Sequence, residues 1–190
     1  PHFTAPRLAP GQRYVRGLYS GGTFCYEATL LLSQTLQDVH SNTPVGNATA
    51  LADVWHSRGH TLVDLGDDEF TRGRPHPMID HRLRNERLVR EAADAEVAVI
   101  LLDVVLGYGA HADPAAEMLP ALHSARAAAQ GAGREIALVG FVCGTERDPQ
   151  DLARQSAALA QAGVILAASN AQAARTAATI AVRHVETARN

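Results

Sequence analysis

Short β-branched and apolar runs alternate along this chain with longer Ala- and Leu-rich stretches, the pattern of repeated strand–helix units in which helices cover both faces of a parallel sheet. Five strands are predicted: Tyr14 to Ser20, Thr61 to Leu65, Val97 to Val105, Glu135 to Val142 and Val164 to Ala168. The third reads VAVILLDVV, almost wholly apolar, which suits a central strand buried on both faces. A helix is expected after each strand, over Thr23 to Val39, Met78 to Ala93, Pro114 to Gln130, Pro149 to Gln161 and Ala171 to Glu186. Asp113 and Asp148 each precede a proline and read as helix N-caps, and Asn170 takes that part for the last helix. The segment from Ser41 to Gly59 is too long for a bare loop, so a short helix is expected around Ala48 to Arg58.

Right-handed crossovers and a reversal of strand order beside the first strand give an α/β, flavodoxin-like, doubly wound sheet of about five strands in the order 2-1-3-4-5. Ligands of such sheets bind outside the carboxyl ends of the strands, which selects the loops that matter. At 190 residues one domain is expected, over 13–190, preceded by a Pro- and Gly-rich linker remnant or disordered start over 1–12. A start at Pro1 fits a piece of a longer polypeptide.

Composition narrows the chemistry. Basic residues number 17 against 20 acidic ones, and every one of them is Arg. No nucleic-acid surface is indicated, and a Schiff base, a phosphate-binding lysine and a lysine general base are excluded. Arg suits fixed, bidentate contacts to carboxylate or phosphate. Cys25 and Cys143 are too few and too far apart for a disulfide framework or a metal knuckle, which fits a reducing cytoplasm. The longest apolar run, Val97 to Leu102, is too short to span a bilayer, and no leader precedes it, so neither export nor membrane insertion is expected.

Four loops fall at the predicted ligand edge. Ser20-Gly21-Gly22-Thr23 opens the first long helix; its glycines allow close backbone approach, and a helix start favours a phosphate or carboxylate. The alternative is that Ser20 or Thr23 merely caps the helix. Gly66 to Asp80 is the most polar segment, with the adjacent acids Asp67, Asp68 and Glu69, Arg72, Arg74 and a proline-bracketed His76. Asp67, Asp68, Glu69 and His76 are metal-ligand types without a metal site's spacing, and no metal is expected. Its charges are expected to pair with one another, with Arg72 or Arg74 reaching an anion. Asp103, inside the most apolar strand, is either functional or hydrogen-bonded to amides of the neighbouring loop. His111, beyond Gly109 on the loop that follows, is a candidate to orient or protonate a substrate together with Asp103. The fourth loop carries Cys143, Gly144, Thr145, Glu146 and Arg147; Gly144 and Thr145 join the substrate-binding candidates, while both cysteines are expected to be small apolar residues.

Together, Gly17 to Ala28, Gly66 to Asp80, Leu101 to Pro114, Val139 to Pro149 and Ala162-Gly163-Val164 resemble the second, flavodoxin-like domain of the succinyl-CoA synthetase α-subunit superfamily, and most closely its FdrA-type branch. The resemblance runs from about Arg13 to Ala173. It implies that the turn Ser20 to Thr23 holds a phosphate group on helix amides. It implies further a ligase-like part of an acyl-CoA synthetase or carbamoyltransferase assembly that handles phosphate or an acyl or carbamoyl phosphate. CoA would be bound only through other domains, and the partners would be a small anionic substrate and further ligase-type domains or subunits, with a homodimer left open. The superfamily's phosphorylated histidine should follow the fourth strand, yet Gly144 to Gln155 contains no histidine. A non-catalytic binding or scaffold domain is the competing reading. An FMN flavodoxin is disfavoured because no flavin-stacking aromatic pair stands at the expected loops.

Overall fold

The computed structural model describes residues 6–189, with side chains described through residue 184. Its elements are β1 (Tyr14–Tyr19), α1 (Gly22–Ser33), β2 (Val39–Ser41), β3 (Thr49–Ala50), β4 (His60–Asp64), α2 (Asp68–Thr71), α3 (Arg82–Ala93), β5 (Val97–Val105), α4 (Pro114–Gly131), β6 (Ala137–Cys143), α5 (Leu152–Gln161), β7 (Val164–Ala167) and α6 (Asn170–Arg189). All pairings are parallel, in one sheet of order β3-β2-β4-β1-β5-β6-β7. The five expected strands occupy the expected 2-1-3-4-5 order, and two short strands extend the sheet beyond β4.

β5 lies between β1 and β6 and is buried from Val97 to Val104, because helices cover both its faces. Ile100, Leu102 and Val104 meet Leu88 of α3, Met118 and Leu122 of α4 and Leu159 of α5. Val99 and Leu101 meet Cys25, Ala28 and Leu32 of α1 and Ala173, Ala174 and Ala177 of α6. The alanines of α6 leave no bulk between helix and sheet, which suits the close approach of a long helix to β1, β5, β6 and β7. Among the described residues no helix is long and apolar enough to cross a membrane.

The structure corrects several sequence expectations. The first helix ends at Ser33 rather than Val39, and Val39–Ser41 pairs with β4 as β2. No helix forms over Ala48 to Arg58: Thr49–Ala50 is a strand, and the polar groups after it are taken by α3 and by local turns. Arg87 donates to the Val54 carbonyl at 3.1 Å, Arg90 to the Trp55 carbonyl at 2.6 Å, and Asp53 accepts the Trp55 N–H at 2.8 Å. Asp113 caps α4 as expected, accepting the Ala116 N–H. Asp148 does not cap α5; it closes a turn by accepting from Thr145, and Asp151 is the cap. Ser169 caps α6 instead of Asn170, accepting the Gln172 N–H at 3.2 Å. Residues 1–5 of the expected linker lie outside the described residues; within 6–12, Gln12 is buried and donates to the carbonyls of Val97 and Glu135.

Candidate functional site at the carboxyl edge of the sheet

The chain passes from β1 to β4 on one side and then returns to β5 on the other, so the carboxyl ends of β1 and β5 are neighbours joined to loops that diverge. Asp103 holds these ends together. It is fully buried, accepts the Ser20 N–H at 2.9 Å and the Ser20 hydroxyl at 2.6 Å, and receives Nη1 of Arg84 at 2.9 Å. Arg84, itself 1% exposed, also donates to the Asp103 carbonyl at 2.7 Å. A carboxylate in so apolar a strand is tolerated because each oxygen is hydrogen-bonded and its charge is matched. Asp103 fixes the Ser20 turn from beneath, and both of its carboxylate oxygens are already engaged.

That bond decides how α1 begins. The Ser20 hydroxyl points to Asp103, Gly21 is the N-cap in an extended conformation, and no side chain caps the helix. The capping alternative for Ser20 and Thr23 is therefore not what forms. The first helical bond of α1 is from the Cys25 N–H to the Gly21 carbonyl, at 3.4 Å, which leaves the N–H groups of Gly22, Thr23 and Phe24 at the positive end of the helix without intrahelical partners.

Asp64, at the end of β4, stands beside this turn: a Cβ on Gly22 would lie 3.0 Å from its Oδ2. Its backbone is held by the Asn42 side chain, which accepts the Asp64 N–H at 2.9 Å and donates to the Asp64 carbonyl at 3.0 Å, and its Oδ1 accepts the Gly66 N–H at 2.8 Å. Burial pushes the Asp64 carboxyl above its usual range, against the stabilising Gly66 N–H. Sequence reading passed Asp64 over, although an Asp breaking the apolar run of TLVDL is the same signal that drew attention to Asp103.

The two loop histidines share one device. Nδ1 of His76 accepts the Met78 N–H at 3.2 Å, and Nδ1 of His111 accepts the Asp113 N–H at 3.1 Å, so the neutral rings carry their protons on Nε2. Met78 links the loops, since its carbonyl accepts the His111 N–H at 2.9 Å. Gln150 clamps the His111 loop from the β6 side, donating to the carbonyls of Gly107 and His111 and accepting the Gly107 N–H. The His111 ring lies 5.5 Å from that of His81. His81 is buried, and its pKa is pushed down to about 3 by burial first and then by the adjacent Arg84 charge.

The remaining candidates are dispersed. Arg74 lies over the Trp55 ring at 5.6 Å and lines a cavity of about 280 Å³ with Leu65, Phe70 and Pro77, while Arg72 is exposed at the end of α2. The expected pairing of the loop's arginines with its acids does not form among the described residues: the acid that is paired, Asp80, takes Arg82 of α3 at 2.5 Å, and neither Arg72 nor Arg74 joins a loop carboxylate. Asp67 caps α2 by accepting the Glu69 N–H. Gly109 has a positive φ of 86° on the loop after β5, Gly144 packs on Leu106, and the Thr145 hydroxyl donates to Asp148 at 3.2 Å. Cys25 is buried, which raises its thiol to about 12. Among the described residues no group of three or more His, Cys, Asp or Glu side chains is placed to hold a metal ion.

The CoA-ligase family profile matches residues 18–180. The chain is similar to the uncharacterized protein YahF of Escherichia coli (strain K12), with 46% identity over 164 residues that cover 86% of this chain and 32% of that protein. The chain thus spans about a third of the length of this curated relative. Among solved structures, the Escherichia coli RcsC C-terminus containing a linker region and phosphoreceiver domain superposes over 97% of this chain and 98% of that one at 7% identity and a TM-score of 0.28, too weak a likeness to carry an argument.

Proposed function

Since the chain belongs to the CoA-ligase family, we propose that it is a ligase-type domain that binds a phosphorylated or carboxylated small molecule at the carboxyl edge of its sheet, as part of a larger acyl-CoA-synthetase-like or carbamoyl-transferring assembly. The observation that carries this reading is the uncapped start of α1: three N–H groups lack intrahelical partners and the Ser20 hydroxyl, the nearest capping group, is engaged by Asp103. The anion would sit on Gly22, Thr23 and Phe24. Gly144 to Gln155 contains no histidine, so phosphoryl transfer through a carrier on that loop has no acceptor in this domain.

A role inside an assembly is supported by the rim of the same edge. The exposed large hydrophobics among the described residues are Tyr26 in the first turns of α1, Ile79 before α3 and Tyr108 on the loop after β5. Tyr108 is 91% exposed between Gly107 and Gly109, both at positive φ, so the loop displays the ring rather than folding it inward. Asp103, saturated by Ser20 and Arg84, favours the reading in which this domain binds and a neighbouring one completes the chemistry.

The test is titration calorimetry with inorganic phosphate. Thr23→Pro removes one free N–H at an exposed first-turn position without changing net charge. Phosphate affinity is expected to fall roughly tenfold or more, since a charge-assisted hydrogen bond contributes about 1.5–3 kcal/mol. An unchanged dissociation constant in folded Thr23→Pro protein removes the site. Gly22→Pro is the poorer probe because its Cβ would meet Asp64.

Asp64→Asn gives a second measurement. It removes a negative charge beside the helix start, so phosphate should bind several-fold more tightly at pH 7. In the wild type, binding should strengthen as pH falls through the raised Asp64 pKa, and in Asp64→Asn that slope should flatten. Equal affinities at pH 7 would place Asp64 away from the anion.

A further inference from the structure

Two cavities lie side by side along α3, between that helix, the loop over Gly66 to Asp80 and the segment before β4. They measure about 280 Å³ and about 230 Å³ and share Leu65, Phe70, Arg74, Leu83 and Glu86 as walls, so they form one trough with two lobes. None of Ser20 to Thr23, Asp103 or His111 lines either lobe, which separates the trough from the start of α1. Its floor is apolar: Leu65 and Phe70 are buried and Leu83 is half-buried. One wall of the smaller lobe is an aromatic ring held in advance. Trp55 packs edge-on against Phe70 with ring centroids 4.7 Å apart, its N–H is taken by Asp53, and its carbonyl accepts from Arg90. Arg87 fixes the same segment by donating to the Val54 carbonyl and the Ser57 hydroxyl.

The charges around the trough leave one cation over. Asp80 pairs with Arg82 at 2.5 Å, and Arg87 pairs with Glu91 at 2.5 Å. Glu86 stands one helical turn from both Arg82 and Arg90, so its charge is matched along α3. Arg74, which lines both lobes, has no carboxylate partner among the described residues; its guanidinium lies over the Trp55 ring, 5.6 Å from the centroid. We propose that this trough is a second ligand site, one that takes an aromatic monocarboxylate, with its ring against Trp55, Phe70 and Leu83 and its carboxylate on Arg74. The aromatic wall and apolar floor select a planar apolar body. The unmatched guanidinium selects one negative charge, and its planar fork suits a carboxylate. Asp80 and Glu86 on the same rim disfavour the second charge of a phosphate dianion. The site differs from the one at α1 in place and in ligand, and it stands whether or not α1 binds phosphate.

Trp55 is the single tryptophan of the chain, so its fluorescence reports from the site itself. Three probes separate the parts of the ligand in titrations of the full chain: 3-phenylpropionate carries ring and charge, 3-phenylpropanol the ring alone, and butyrate the charge alone. The wild type should bind 3-phenylpropionate about tenfold or more tightly than either of the others, with a saturating change in Trp55 emission. Arg74→Gln should bring 3-phenylpropionate down to the level of 3-phenylpropanol and leave the alcohol within about twofold. Arg72→Gln, at an exposed arginine that lines neither lobe, should leave all three probes within about twofold. Leu83→Trp fills the trough and should abolish binding of both ring-bearing probes, read by calorimetry because it adds a second tryptophan. Arg74 is exposed, so Arg74→Gln carries the test if Leu83→Trp fails to fold by circular dichroism. No binding of 3-phenylpropionate by the wild type, equal affinity in Arg74→Gln, or an equal loss in Arg72→Gln overturns the site. A loss in Thr23→Pro overturns it as well, by placing the carboxylate at the start of α1. Failure of the wild type to bind phosphate removes the α1 site and leaves this one standing.

Discussion

Asp103→Ala is expected to destabilise the fold by about 3–5 kcal/mol, the range for removing one partner of a buried ion pair. The cause is what remains behind. Arg84 is 1% exposed, its Nη1 would lose Asp103 Oδ1, and its Nε already lacks a partner. The Ser20 N–H and hydroxyl would be orphaned at the same time, so the turn before α1 would loosen along with the core. The pair itself need not be stabilising: replacing both charges with apolar residues of similar volume, as in Asp103→Leu with Arg84→Met, should recover much of the loss. Urea unfolding of the two single variants and the double variant checks this. An Asp103→Ala midpoint within error of the wild type would mean that Arg84 finds another partner or reaches water.

Acidification should cost stability well before the carboxylates titrate. His81 and His60 are held neutral in the fold, with pKa values lowered to about 3 and about 4 from 6.5, in both cases by burial first and then by a neighbouring guanidinium, Arg84 and Arg16 respectively. Above pH 6.5 both rings are neutral folded or unfolded, and the stability is fully present. As pH falls below 6.5 the unfolded chain takes up protons that the fold excludes, so stability drops by up to about 1.4 kcal/mol per pH unit per histidine until the folded values are reached. Asp64 opposes the trend at the lower end, because its raised folded pKa makes the fold take up a proton earlier than the unfolded chain. Asp80, lowered to about 2 by Arg82, adds its loss only below its unfolded value of 3.8. Between pH 6.5 and 5 the slope should therefore be that of histidines. Urea midpoints at pH 7.5 and 5 measure it, and His81→Gln should flatten it by about half; a wild-type midpoint that does not move over this interval would contradict neutral burial of both rings.

These residues also mark the boundary of what could be read from the chain alone. Local periodicity was enough for the five main strands, because a run such as VAVILLDVV has to be covered on both faces wherever it lies. The right-handed crossover rule then ordered them, and the observed β4-β1-β5-β6-β7 core has that order. The glycine turn after β1 and the polar loop after β4 were legible as well, since such residues have no reason to follow an apolar strand unless the backbone must turn or meet a ligand.

Partnership was not legible. β2 and β3 are three and two residues long, too short to show a period, and they are strands only because β4 offers an edge for β2 to pair with. Thr49 and Ala50 sit where helix propensity is ambiguous, and the segment after them is fixed by α3 groups more than thirty residues away, such as Arg87. The meaning of Asp103 was decided in the same way. An aspartate in an apolar strand announced that something must neutralise it, but that this was Ser20, 83 residues earlier, and Arg84, 19 residues earlier, followed only from strand order and from the face α3 turns to the sheet. Asp64, Met78 and Gln150 gained their roles from the meeting of loops that are distant in sequence. The sequence by itself determined which segments must be buried, because transfer of apolar surface from water is a local property of the residues. The tertiary structure decided which polar groups those segments would carry inside with them, because a hydrogen bond or ion pair needs two partners at a fixed distance, and folding is what sets that distance.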